Sequence, residues 1–226
     1  MKSNIFLRVI ILSIVMFGSS WGYADELSKQ EALNFASTKG QELLMAFQEP
    51  DLDKRYKNLD EMFVEYIDID YVSKFVMGKY WRKMTKEQQQ EYKNIFVRYG
   101  LSYYKTLPLD YAKNLTYEIV GAEQNGEFTT VAANIHVKIG QEVQTLTLVF
   151  KLHKVDKKVK VVDVKVAESS LLLAYRGKFY EMIAQQDGEI SWFLEDLTDL
   201  TMSMEYSLRE NVSNQQKSLE FGVETR

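Results

Sequence analysis

Between Ser28 and Leu107 the apolar residues recur at three- and four-residue steps, the period of an amphipathic helix. Ser28 with Glu31 three positions on is a capping box, and Ala32, Ala36, Leu43 and Phe47 continue one stripe up to Pro50. Leu52, Tyr56, Leu59, Phe63 and Tyr66 repeat the pattern in a second helix. A short third helix runs from about Ile69 to Met77 and stops at Gly78, the residue type that most readily takes a left-handed C-cap. Thr85 and Gln88 form another capping box. It opens a long helix with Tyr92, Ile95, Phe96, Tyr99 and Tyr103 on one side and Leu107-Pro108 at its end.

From Leu115 the period drops to two. Four strands follow, at about 115–122, 128–139, 142–152 and 159–166, and their short polar connections predict an antiparallel meander. Leu146, Leu148, Phe150 and Leu152 share one face of the third strand; Val162, Val164 and Val166 share one face of the fourth. The opposite faces carry Thr145, Thr147, Lys151, Asp163 and Lys165, as expected for a sheet wet on one side and covered on the other. Helical spacing then returns. Ser169 or Ser170 caps a helix with Leu172, Tyr175, Phe179 and Ile183 on one face, and Gly188 breaks it. Ile190, Leu194, Leu197, Thr201, Met204 and Leu208 stripe a last helix, beyond which the residues from Arg209 turn polar and are expected to fray. The pattern predicts an α+β domain, with helices packed on one face of a four-stranded antiparallel curved sheet.

The stretch KVVDVKVAESSLLLAYRGKF, from Lys160 to Phe179, joins the last strand to that capped helix. Its Leu171-Leu172-Leu173 start is apolar all round, which predicts a helix end that is fully buried or faces a cavity.

Composition narrows the class. The 226 residues are 46% apolar and 27% charged, as in a globular protein, and 28 cationic against 32 acidic side chains give a net charge of −4. No basic excess points to nucleic acid. The absence of cysteine excludes disulfides, thiolate metal sites, a cysteine nucleophile and lipid attachment through cysteine. At the N-terminus, Lys2 and Arg8 precede an apolar run from Val9 to Phe17, and Gly22 and Ala24 stand at the −3 and −1 positions of a cleavage site before Asp25. The run is far short of the ~20 residues needed to span a bilayer. Residues 1–24 therefore read as a removable signal peptide, 25–208 as the mature domain and 209–226 as a polar tail, and the expected compartment is the periplasm.

Catalytic chemistry finds little support. His136 and His153 fall on different strands without ligand spacing. Asp68 and Asp70 are two apart, and capping by Asp68 explains the pair more simply than acid–base work. Asp163 sits on the wet face with no partner visible in the sequence. There is no phosphate-binding loop, dinucleotide turn or nucleophile elbow. No catalytic residue, metal ligand or cofactor is assigned. What stands out is an apolar surplus, and an apolar lumen in an exported domain suggests a carrier for a hydrophobic ligand.

Two stretches carry a resemblance. YIDIDYVSKFVMGKYWRKMTKEQQQEYKNIF, from Tyr66 to Phe96, resembles the MlaC / toluene-tolerance (Tol_Tol_Ttg2) family of periplasmic phospholipid-binding proteins, in which an aspartate and a short helix lead through a Gly-x-x-Trp-Arg-like turn to a Ser/Thr-x-x-Gln-capped helix. Asp163-Val164, Ser170-Leu171-Leu172 and Tyr175-Arg176-x-x-Phe179 are similar to the family's second signature. The resemblance covers about residues 27–200. It departs at Glu168-Ser169-Ser170-Leu171, where the family commonly has Glu-Gly-Val-Ser-Leu, and in the longer C-terminal helix.

The resemblance implies an NTF2-like cone enclosing an apolar cavity, and a monomeric carrier that shuttles phospholipid between an outer-membrane lipoprotein/porin complex and an inner-membrane ABC transporter. Leu146, Leu148, Phe150, Val162, Val164 and Val166 would form the sheet wall, and Leu172 and Tyr175 the helix side. Arg176 is expected either at the mouth, near a phosphate, or in a salt bridge on a solvated face. Phe75, Trp81, Phe96 and Tyr103 reach the cavity or belong to the core. Two other readings stay open: an enzyme or small-ligand binder on the same scaffold, and a structural protein whose apolar faces are all core.

Overall fold

The computed structural model describes residues 26–105, 115–139 and 141–220. The expected leader and the Leu107-Pro108 helix end lie outside them. Six helices run α1 (Lys29–Gln48), α2 (Leu52–Tyr66), α3 (Ile69–Met77), α4 (Lys86–Lys105), α5 (Leu171–Gln185) and α6 (Ile190–Glu220), with one 3-10 turn at Trp81–Lys83. The strands are β1 (Leu115–Asn125), β2 (Phe128–Ile139), β3 (Glu142–Val155), β4 (Lys158–Val166) and β5 (Ser169–Ser170). They form one antiparallel sheet in the order β1-β2-β3-β4-β5.

Local chemistry sets most of the boundaries. Ser28 and Glu31 complete a reciprocal capping box on α1, and Thr85 and Gln88 make the same exchange before α4. Asp51 and Asp68 cap α2 and α3. Gly78, at φ +46°, ends α3. Gly188, at φ +84°, follows α5. Ser170 is the cap of α5: its Oγ accepts from Leu173 N and donates to Asp163 Oδ2 at 2.7 Å.

The structure revises the expected fold in three respects. A fifth strand exists, because the chain turns at Ala167 (φ +51°) and Ser169-Ser170 pairs back onto Val166-Lys165. The helices are not confined to one face. Side chains paired across the ladder place Val131, Ala133, Ile135, Leu148, Phe150 and Leu152 on one face, under α1. On the other face Phe128 and His153 pack against Tyr71 of α3, and Asp163 accepts from Leu172 N of α5. The chain changes faces at Ile67-Asp68, where Asp68 N donates to Val161 O along the free edge of β4. Finally, α6 continues as helix past Arg209 to Glu220.

Two apolar clusters result. The larger lies among α3, α4, α5 and α6 and centres on Phe179, which is fully buried against Tyr92, Phe96, Tyr99, Tyr175 and Phe193. The smaller lies between α1 and the sheet, around Leu27, Ala32, Val131 and Leu152. Polar links pin the start of α1 there: Thr129 Oγ1 donates to Leu27 O at 2.7 Å, and Lys154 reaches Glu31 at 2.8 Å.

Phe179→Ala should lower the unfolding free energy by ~3–5 kcal/mol, the range for truncating a buried aromatic, as read from urea denaturation. Lys154 first, then Ser28, hold the Glu31 carboxyl down at about 2, against an ordinary value of 4.5. A depressed acid stabilises the fold above its ordinary value, and the effect fades as pH falls from there towards the folded value. Glu31→Gln should therefore melt below the wild type at pH 7, with the difference vanishing near pH 2.

Candidate functional site

A cavity of about 310 Å³ lies between α1 and the sheet face beneath it. Phe35, Ala36, Gly40, Leu43, Leu44 and Phe47 face it from α1, at the one-, three- and four-residue steps that keep side chains on one side of a helix. The sheet contributes Tyr117 and Ile119 from β1, Ala133 and Ile135 from β2, Leu148, Phe150 and Leu152 from β3, and Val161 from β4. Tyr66, at the end of α2, closes one side, edge-on to Phe35 with ring centroids 6.0 Å apart.

Small residues make the hollow. Ala36 and Gly40 on the helix and Ala133 on the sheet stand among the larger lining side chains, and interiors otherwise pack to near crystal density. Gly40 also admits Tyr117. A Cβ at position 40 would lie 2.9 Å from that ring, whose hydroxyl donates to Ser37 O at 2.9 Å. Burial declines along β3 from Leu152 (1% exposed), through half-buried Phe150 and Leu148, to Leu146 (44% exposed). The space is thus sealed near the start of α1 and opens towards the start of β3.

Lys39 is the one charged side chain among the described lining residues. Its Nζ stands 2.9 Å from Glu42 Oε2 and 4.8 Å from the Tyr66 ring centre, and Tyr66 Oη donates to the same carboxylate. Glu42 raises the Lys39 pKa above its usual value; the Tyr66 hydrogen bond and then Lys39 lower that of Glu42. Desolvation pushes the Tyr66 hydroxyl up, so it remains a donor. The pair is fully ionised at neutral pH.

The expected site residues divide between this cavity and the helical cluster. Leu148 and Phe150 line the cavity, and Leu146 continues their face beyond its described lining. A β-bulge at Lys151/Leu152 places Val161 opposite Leu152, so Val161 rather than Val162 meets the lumen, and Val162 is buried at the bulge. Val164 and Val166 pair with Phe150 and Leu148 but lie outside the described lining. Leu172 and Phe96 are buried in the helical cluster, with Phe75, Trp81 and Tyr175 packed against it. Tyr103 is 43% exposed and stacks on Tyr99.

Arg176, expected near a phosphate or in a solvated salt bridge, makes its contacts with α3. Its guanidinium donates to Phe75 O, Nε at 2.9 Å, and lies over the Phe75 ring, holding α5 to the end of α3 beside Gly78. The leucine run is neither wholly buried nor at the cavity. Leu172 points inward at 7% exposure, whereas Leu171 and Leu173 stand 40% and 57% exposed, because successive helical residues diverge by about 100°.

Sequence reasoning assigned the helical wall to α5 when α1 supplies it. The available signals were a mid-helix Gly40 and a lysine, Lys39, between Ala36 and Leu43. A second cavity, of about 470 Å³ among α2, α4 and α6, has charged residues in its lining, including the Arg98–Glu205 and Lys105–Asp60 ion pairs. His153 pairs with Asp68 at 2.8 Å and His136 with Thr145 at 2.9 Å. No group of His, Asp or Glu suited to a metal occurs among the described residues.

Similarity to known proteins bears on this geometry. The solved phospholipid-binding protein from Ralstonia solanacearum, in complex with a phospholipid, superposes with a TM-score of 0.63 at 20% identity, over 76% of this chain and 97% of that one. At such identity the likeness is one of fold. No curated protein sequence matches. Residues 40–199, spanning both stretches that suggested the resemblance, match the family described as MlaC protein, and the chain belongs to that family.

Proposed function

We propose that this protein is a periplasmic phospholipid carrier, and that its acyl-chain site is the cavity between α1 and the sheet. The observation that bears most weight is the lining: apart from Lys39 and two tyrosine hydroxyls, the described residues around the space are apolar or glycine. Family membership and a shared fold with a protein solved holding a phospholipid support the same reading.

Physical chemistry explains the need for such a site. Exposing two acyl chains, on the order of thirty methylenes at ~0.8 kcal/mol each, costs roughly 20 kcal/mol, so unassisted transfer through water is very slow. A carrier must offset most of that cost without exceeding it, or the lipid is never released. About 310 Å³ sits at the low end of ligand-site volumes. A space of that size takes chain segments and leaves the polar head at its rim, in contact with water. The exported leader and the family suit a soluble intermediate between an outer-membrane complex and an inner-membrane ABC transporter, maintaining outer-membrane lipid asymmetry. Binding and release need no catalytic group.

Organic extraction of the purified protein followed by mass spectrometry should yield near one phospholipid per chain, and protein consistently free of lipid would overturn the reading. Leu148→Glu, which puts a charge into the lumen, should cut retained lipid at least ~tenfold. Val143→Glu, on the opposite face of the same strand and 61% exposed, should leave lipid retention unchanged.

A further inference from the structure

The lining contains one feature that shelter for acyl chains does not require. Lys39 could have been apolar like its neighbours Ala36 and Leu43; instead it brings an ammonium to the wall and pairs it with Glu42. Side-chain exposures of 30% and 37% place the two charges on the boundary between lumen and water, where the polar end of a bound lipid must emerge. Tyr66 supplies a hydroxyl to the same carboxylate from α2. The arrangement is electrically balanced, with one fixed positive and one fixed negative group a single helical turn apart.

We propose that Lys39, Glu42 and Tyr66 form a head-group subsite that favours zwitterionic phospholipids, in which a phosphate is followed by an ammonium, over phospholipids of net negative charge. This rests on the carrier reading above. Charge pairing gives the reason. An arriving phosphate takes N–H donors of Lys39, which has three and shares them now with Glu42 Oε1 and Oε2 at 3.0 and 2.9 Å. That contact draws the ammonium away from Glu42 and leaves a carboxylate facing an anion. A zwitterionic head group restores balance by setting its own ammonium against Glu42, so both protein charges stay paired. A glycerol head group has no cation to offer, and the carboxylate repels it.

Tyr66 makes the subsite directional. Its hydroxyl anchors Glu42 Oε2 on the α2 side, leaving Oε1 the less occupied oxygen. The ammonium is received there, while the phosphate lies nearer Lys39 and the lumen. The order phosphate then ammonium, counted outward from the chains, is that of an ethanolamine or choline phospholipid.

The test is competition. Delipidated protein is incubated with vesicles of equimolar phosphatidylethanolamine and phosphatidylglycerol with matched acyl chains, reisolated, and its lipid quantified by mass spectrometry. Wild-type protein should carry the ethanolamine lipid in roughly three- to fivefold excess, the discrimination a part-exposed ion pair can supply. Glu42→Gln should bring that ratio to about one or below while total lipid per chain stays near wild type. Comparing the two proteins against the same vesicles cancels any difference in how readily each lipid leaves the bilayer. Lys39→Gln should lower loading of both lipids, as expected when the phosphate loses its cation. Equal loading of both lipids by the wild type, or a preference unchanged in Glu42→Gln, overturns the head-group assignment and leaves the carrier reading standing. Failure to load either lipid overturns both.

Discussion

A helix laid across a sheet ordinarily closes the space beneath it, because dispersion and the hydrophobic effect both reward contact and leave few voids. In this protein α1 is pinned at its start and kept from collapsing further along. Leu27 is buried beneath it, Thr129 holds the Leu27 carbonyl, and Lys154 reaches up to Glu31. Beyond that anchor, Tyr117 props the helix at Gly40 and Tyr66 flanks it from α2. The remaining gap is the apolar cavity, and its position follows from where the large and small side chains fall.

The two stretches that carried the family resemblance then acquire a different meaning. Tyr175, Arg176 and Phe179 do not touch the lumen. Arg176 clamps the Phe75 carbonyl near the end of α3, Phe179 fills the centre of the helical cluster, and Asp163 with Ser170 ties β4 to the start of α5. These residues make a rigid block behind the sheet against which β3 and β4 are held. The motif is the buttress, and the cavity lies on the other side of the wall.

How much of this was legible in the chain depends on the range of the interactions. Helices and strands followed from periodicity and from caps such as Ser28–Glu31 and Thr85–Gln88, all of which act within four residues. The four long strands fall within a few residues of expectation for the same reason. Facing was harder. A bulge at Lys151/Leu152 exchanged Val162 for Val161, and nothing in the alternation of β4 announces it. Which helix covers the lumen was hidden as well, since α1 and α5 both present apolar stripes and only the crossing at Ile67-Asp68 puts them on opposite faces. Arg176 was ambiguous because its partner is a backbone carbonyl 101 residues away.

That crossing has a further consequence. Open sheet margins are templates for unwanted strand addition, and a protein with a greasy interior exposed at one end is a poor candidate to leave them bare. Where the chain steps over the margin of β4, Ile67 bridges to Val161 and the two-residue β5 covers Lys165-Val166. At the opposite margin β1 is interrupted by an irregularity between Ile119 and Gly121, with acidic Glu118 and Glu123 to either side. Both borders are thereby blunted, which lets the barrier to polymerisation reside in the backbone route and leaves the interior free to stay oily.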